Sequence, residues 1–410
     1  MAFWILCGAM GLVTLTLATV ATAVPLYAVA LGLDAASVGL LVALPNVFPV
    51  FLAVPAGRAV DGKGALRWML VGSLGLVSAP LIVAVFGGTG AVVVGQLLLG
   101  LFHVFLTLAS QAFVATLGSR ASFERDFAWY STSLAAGRLG GPLLAGVMID
   151  AAGFRPAFAV VTGALVISTA LVATLRRWRT EQEATVVTPR PLRDEPAGGS
   201  PATSAPPPAG ARALLGNVGL QLAVLSSAGV FVAIAVRQAF LPVYLSDLSY
   251  SATSIGALLS LGGLAAVLVR PIMPLLSRAI GGPARTLVVA MSAVAIGVGL
   301  TGLVSSYGVI ALLTVIAGLG AGVGLPLSIV TVASHVDPRS RGLALGVRLS
   351  LNRVAQLAAP IAVGAVVAAS GFALGFALAG GALAALALLA AARIRPFEAA
   401  AATHDEQPMT

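Results

Sequence analysis

Gly57-Arg-Ala-Val-Asp61-Gly-Lys63-Gly64-Ala-Leu-Arg67 is a short charged interruption between two long apolar runs, at residues 36–57 and 67–87. Each run matches the stretch of helix that a bilayer core demands, roughly 20 residues. Ionisable side chains crowded into the hinge and missing from the runs beside it mark a water-exposed turn at a membrane surface. The same alternation governs the whole chain. Of 410 residues, 59% are hydrophobic and 9% are charged, whereas soluble domains carry roughly 25% charged residues. The mean hydropathy of +1.03 agrees.

Working outward from the hinge, the apolar runs predict twelve transmembrane helices. In the first half they fall at 3–30, 36–57, 67–87, 90–117, 127–150 and 155–175, and in the second at 213–245, 252–276, 285–304, 308–333, 342–369 and 372–393. The expected fold class is therefore an all-α membrane protein with two pseudo-symmetric six-helix bundles. Residues 1–175 form the first bundle and 213–393 the second. Between them, 176–212 contains TPRPLRDEPAGGSPATSAPPPAG, a composition unable to bury enough apolar surface to order itself, and reads as a disordered cytoplasmic linker. Residues 394–410 read as a cytoplasmic tail. The start of the chain lacks a charged leader and its apolar run is too long for a signal peptide, so it reads as a first span.

A net charge of +9 would suggest nucleic acid in a soluble protein. Here the basic residues gather at the ends of apolar runs, and no nucleic-acid partner is expected. Arg58, Lys63, Arg67, Arg120, Arg125, Arg176, Arg177, Arg179, Arg278, Arg285, Arg339, Arg341, Arg393 and Arg395 fall on one set of loops, while Arg155 stands alone on the other beside Asp34, Asp150 and Asp247. The first set is therefore cytoplasmic, as are both termini. This places the chain in a bacterial inner (cytoplasmic) membrane. The lone Cys7 excludes an intramolecular disulfide. No metal or cofactor is expected.

The two halves repeat. Pro25 and Pro242, Tyr27 and Tyr244, Ser37 and Ser254, and Gly39 and Gly256 stand 217 apart (242 − 25). Further along, Gly100 and Gly318, Pro142 and Pro360, Gly146 and Gly364, Gly153 and Gly371, Phe154 and Phe372, and Phe158 and Phe376 stand 218 apart (360 − 142). Parallel repeats joined by a long loop suit a transporter whose site lies between the halves. Because one chain then holds both halves of the site, a monomer is expected.

The 57–67 segment resembles the loop signature of the major facilitator superfamily, G-x-x-x-D-x-x-G followed by basic residues, and Gly57, Asp61, Gly64 and Arg67 stand at its positions. Physically, Gly57 would allow close helix approach and Asp61 would cap or pair near a helix N-terminus. The resemblance implies a conformational latch. In the fifth helix, Gly137-Arg138-Leu-Gly140-Gly141-Pro142-Leu-Leu-Ala145-Gly146 resembles the antiporter signature of drug-proton exporters, with Ala145 replacing one glycine. Gly137, Gly141, Pro142 and Gly146 would let backbones touch and bend the helix. The resemblance implies export. In the fourth helix these exporters carry R-x-x-x-G with an arginine linked to proton coupling, and this chain has Gln96 in the arginine's place, with Gly100 at the glycine.

Ionisable residues at membrane depth mark a pathway. Arg138, Arg237, Arg348 and Arg353 fall within predicted helices, Arg270 falls near a cytoplasmic end, and no Asp or Glu falls at mid-depth. Arginines facing a cavity would favour a carboxylate or phosphate. The alternative is that they bond helix carbonyls or snorkel. Arg138, Arg353 and Arg237 are accordingly the candidate substrate ligands, with Asn352, Gln356 and Gln96 beside them. For proton coupling the candidates are His103, which stands seven residues after Gln96 on one face of its helix, and the outer carboxylates Asp34 and Asp150. The expected function is secondary transport: proton-coupled export of a small amphipathic or anionic organic compound by alternating access. Proton-independent exchange or uptake of an organic anion is the alternative. A membrane-embedded enzyme would need features that the chain does not display, such as a carboxylate pair or a His/Asp motif, and His335 and His404 stand apart; a non-transporting sensor of the same fold is a further alternative, marked by loss of signalling without a flux defect.

Overall fold

A computed structural model describes residues 2–117, 123–185, 216–336 and 340–397. Among the described residues thirteen α-helices account for the spans. They are α1 (Ala2–Ala30), α2 (Ala35–Ala43), α3 (Val47–Lys63), α4 (Ala65–Phe86), α5 (Gly88–Leu117), α6 (Phe123–Ala152), α7 (Phe154–Thr185), α8 (Val218–Asp247), α9 (Ala252–Leu268), α10 (Met273–Ile280), α11 (Pro283–Gly299), α12 (Tyr307–His335) and α13 (Arg341–Ala391). Among the described residues ten stretches are long and apolar enough to cross a membrane, and the bent pair α9–α10 makes an eleventh. The 55-residue stretch Leu343–Phe397 is two of them in one, because α13 is broken at Gly371, whose φ of 83° is non-helical. The twelve expected spans are thus accounted for. Large apolar side chains face outward, with Phe51 72%, Leu74 68% and Leu388 71% exposed, as a lipid solvent requires and water does not allow.

Two spans expected to be continuous are broken by proline. The second is interrupted at Leu44–Asn46, a 3₁₀ turn containing Pro45. The eighth bends by 73° between α9 and α10, where Arg270 and Pro271 lie in the turn that follows α9 and Pro274 stands in the first turn of the next helix. At its far end α7 runs on to Thr185, past the boundary expected at residue 175. The rest of the expected linker lies outside the described residues, as do Arg120, Asp337, Arg339 and the tail from residue 398.

The repeat is structural. Gly153 and Gly371 share a φ of 83° and separate matched spans in the two halves. Tyr27 packs on Phe154 and Phe158, and Tyr244 packs on Phe372 and Phe376. Gly100 lies against the carbonyl of Pro45, and Gly318 lies against that of Gly262. The lone basic residue of the arginine-poor end, Arg155, caps the C-terminal carbonyls of α4 at Ala84 and Val85. It has a local structural reason to break the charge rule.

Close contacts between the halves occur at that arginine-poor end. On α2, Gly39 faces the carbonyl of Pro360 on α13, and Gly364 of α13 faces that of Ala35. On α9, Gly256 faces the carbonyl of Pro142 on α6, and Gly146 of α6 faces that of Ala252. A Cβ at any of these glycines would strike main chain. These two seams close one end of the molecule.

The loop at 57–67 departs from its reading in detail. A Cβ on Gly57 would meet nothing within 4 Å, so this glycine permits no close approach. Asp61 lies in the last turn of α3 rather than at a helix N-terminus. Its side chain and that of Lys63 lie outside the described residues. Gly64 turns the chain with a φ of 86°, a conformation glycine adopts without steric cost. Arg67 is exposed. The hinge is instead held by Trp68, whose Nε1 donates to the Ala59 carbonyl at 2.7 Å while its ring stacks on Phe105.

Candidate functional site

The antiporter-like segment on α6 presents two faces. Gly137 and Gly141 let α6 sit directly on α1, where Cβ atoms would collide with the backbone at Gly11 and Leu15. Thr19 of α1 donates to the Gly141 carbonyl at 3.1 Å, adding a hydrogen bond beside Pro142. On the other face, Pro142 and Gly146 form the seam with α9. Arg138 lies four residues before Pro142, so it continues this stripe by one turn toward the arginine-rich end. It is exposed between the halves, just beneath the seal.

The facing elements carry further positive charge to a similar depth. Along α9, Gly256 touches α6 at Pro142 and Gly263 faces Leu139, and Arg270 stands just past the helix end at Leu268. On α13, Arg353 stands seven residues before the sealing Pro360, about 10 Å along the helix. His103 on α5 stands three residues beyond Gly100, which is packed on Pro45. His103 lies within electrostatic range of Arg138 and Arg353, Arg353 of Arg138, and Arg138 of Arg270. None of these four side chains makes a hydrogen bond or ion pair among the described residues, where the salt bridge is Arg125 with Asp126. The structure therefore sets Arg138, Arg353 and His103 within range of one another, with Arg270 within range of Arg138. The missed signal was the Arg-Pro dipeptide, which sets Arg270 in the turn after α9.

Other candidates have structural partners. Gln96 is buried, and its Nε2 donates to the Leu41 carbonyl at 3.1 Å. That carbonyl is the one Pro45 leaves without an N–H donor four residues on. Asn352 is 1% exposed and accepts from the Ser227 hydroxyl at 2.9 Å, inside the second bundle rather than on a route between bundles. Gln356 donates to the Asn352 carbonyl at 3.2 Å. It occupies the position that the repeat matches to Arg138 (356 − 138 = 218). Arg237 donates to the Thr314 carbonyl at 3.3 Å, and Arg348 to the Ser328 hydroxyl at 2.7 Å, so both follow the carbonyl-and-hydroxyl alternative.

The outer carboxylates are helix caps. Asp34 accepts from the Ser37 N–H at 3.0 Å and starts α2. The side-chain and backbone hydrogen bonds of Ser37 hold its carboxyl below the usual range. Asp150, at the end of α6, reaches into the other half, accepting from the N–H groups of Ala252 at 3.1 Å and Thr253 at 2.7 Å. It thus caps α9 across the seam, where the helix dipole favours a negative charge. Among the described residues no group of metal-ligating side chains occurs.

The fold of two six-helix bundles matches known proteins. Solved structures of low identity share the fold over nearly the whole chain. A nucleoside transporter, NupG, aligns with a TM-score of 0.71 at 15% identity, over 96% of this chain and 98% of that one. A bacterial homolog of the human lysosomal transporter Spinster, in an inward-facing and unoccupied conformation, aligns with a TM-score of 0.76 at 14% identity, over 100% and 98%. A POT family transporter in complex with 5-aminolevulinic acid gives 0.76 at 12% identity, over 96% of each. No curated protein matches in sequence. The Major Facilitator Superfamily model matches residues 6–300 and 227–408. The chain belongs to the Major Facilitator Superfamily, and its broad function is that of a membrane transporter.

Proposed function

We propose that this protein is a secondary carrier for a small organic anion, working by alternating access as a monomer in a bacterial inner membrane. The observation that carries the reading is that Arg138 from the first half and Arg353 from the second stand within electrostatic range of each other with no carboxylate partner among the described residues. Guanidinium groups without counter-charge become costly once the carrier closes around them, and a bound carboxylate or phosphate offsets that cost with charge-assisted hydrogen bonds. The positive-inside pattern makes the arginine-rich end cytoplasmic and the sealed end periplasmic. The conformation is then one that loads from the cytoplasm. Together with the antiporter-like Gly137–Gly146 segment, this supports export.

Coupling has two readings. Proton antiport would run through His103, a titratable group within electrostatic range of both arginines. Proton-independent anion exchange is favoured by Gln96, which is uncharged and occupied by the Leu41 carbonyl, and by Asp34 and Asp150, which serve as caps.

The test is solute movement in everted membrane vesicles with a panel of cationic, neutral and anionic compounds. Uptake should respond to anions, and Arg138→Gln and Arg353→Gln should each cut it by at least about tenfold, a loss of roughly 1.4 kcal/mol. His103→Gln separates the couplings. It abolishes substrate-dependent collapse of a pH gradient if antiport holds, and leaves anion exchange in place otherwise. A carrier that moves cations and ignores anions would sink the proposal.

A further inference from the structure

We propose that the second bundle holds a small inorganic anion of the size and charge of chloride, bound by Arg348 at the corner where α8, α12 and α13 meet. The site is separate from the route between the halves and stands independently of the anion-carrier reading. Three contacts close the corner into a ring. Arg348 of α13 donates through Nη2 to the Ser328 hydroxyl of α12 at 2.7 Å and reaches the Leu325 carbonyl at 3.5 Å. One turn before Ser328, a Cβ on Gly324 of α12 would stand 3.3 Å from the Ser226 hydroxyl of α8. The neighbouring Ser227 donates to the Asn352 side chain at 2.9 Å, and Asn352 stands one turn after Arg348 on α13. Every member is buried: Arg348 is 4% exposed, Asn352 1%, and Ser226, Ser227 and Ser328 0%.

The ring leaves polar atoms over. The Nε of Arg348, the Nδ2 of Asn352 and the hydroxyl of Ser226 have no hydrogen-bond partner. No carboxylate pairs with Arg348 among the described residues, and no other charge acts on it there. A buried unpaired ion is strongly destabilising, and each orphaned donor adds its own desolvation cost. Water would satisfy donors and leave the charge unmatched. An anion answers both needs, and the contact of all three helices at this corner restricts it to one or a few atoms. The first bundle shows what the corner requires without a charge. Tyr130 and Ser110 stand 218 before Arg348 and Ser328 (348 − 130 and 328 − 110). Their hydroxyls lie 2.7 Å apart, buried between α5 and α6. A neutral group therefore suffices to join the two helices at this duplicated position. The guanidinium exceeds that need by one charge and by its Nε edge, and these are what the anion takes up.

The test is thermal melting of the full chain in nanodiscs of zwitterionic lipid, with chloride replacing gluconate at constant ionic strength. The melting temperature should climb by a few degrees and continue to rise with the logarithm of chloride concentration above the dissociation constant. Arg348→Met removes the charge, and Arg348→Tyr copies the first bundle; each should melt at the same temperature in either salt. Arg348→Lys should keep part of the response and Arg138→Gln all of it. Crystals of the unaltered protein grown in bromide should show an anomalous peak within hydrogen-bonding distance of the Arg348 Nε. Indifference of the unaltered protein to chloride, or a response that survives both neutral variants, overturns the site. A response lost in Arg138→Gln also overturns it, by moving the halide to the route between the halves. Bromide crystals without the peak do the same, and they decide the question if neither neutral variant folds.

Discussion

At the scale of single residues, Gln96 and Pro45 show how a polar side chain deep in the membrane can be wholly structural. Pro45 strips one carbonyl of its donor, and Gln96 supplies another from the next span. Replacing Gln96 with Leu should lower thermal stability by about 1 kcal/mol, since a buried acceptor is orphaned and bilayer hydrogen bonds average somewhat under that. A stability loss accompanied by unchanged substrate affinity would place Gln96 in the scaffold; a loss of affinity at full stability would return it to the site. The sequence displayed both residues but not their pairing, because which faces of two helices meet is decided by the packing of the whole bundle. Asp34 is the second case. Its carboxyl is held below the ordinary value by the Ser37 hydrogen bonds. The stabilisation is therefore present above the unfolded value near pH 4 and is lost as pH falls through the folded one. Asp34→Ala should lower the melting temperature at pH 7, and the difference should shrink in acid. A difference independent of pH would mean that the charge of Asp34 contributes nothing.

At the scale of elements, the apolar runs and the 217–218 residue repeat were legible from composition and spacing, and the glycine breaks at Gly153 and Gly371 with them. The breaks in the second and eighth spans were not. Prolines 45 and 271 were visible, yet membrane helices tolerate proline when neighbours satisfy the freed groups, so the residue alone does not distinguish a bend from a break. The capping of α9 by Asp150 was likewise hidden, since the two groups are a hundred residues apart and in different halves. Asp150→Ala removes a charged cap from that N-terminus and should cost the sealed state about 1 kcal/mol, a roughly fivefold shift toward opening. A cysteine placed near Tyr250 in a Cys7→Ser background would report it by faster labelling from the outer side. Labelling at the unaltered rate would reduce Asp150 to a bystander. Gly256→Val should do more, because its side chain would have to occupy the position of the Pro142 carbonyl.

At the scale of the molecule, the halves meet at one end and spread a cationic surface beneath it. A thiol-specific cross-linker joining Asp150→Cys to Thr253→Cys should hold that end shut and stop transport, with activity returning when a cleavable linker is cut. Transport that continues under full cross-linking would contradict alternating access between these halves. The general architecture was readable from the chain because it rests on hydrophobic length and duplication. The charges were readable only as an inventory. Gln356 stands where the repeat would place a second Arg138, and Arg353 answers to Ala135 (353 − 135 = 218), so duplication fixed positions while the site was written asymmetrically onto them. The seams have kept what the site discarded. Gly39 meets Pro360 while Gly256, the counterpart of Gly39, meets Pro142, the counterpart of Pro360. Such reciprocity is the signature of an isologous interface, in which residue i of one subunit meets residue j of another and j meets i. A lone six-helix half therefore already bears both complementary surfaces of a twofold homodimer, Gly39 of one copy against Pro142 of the next.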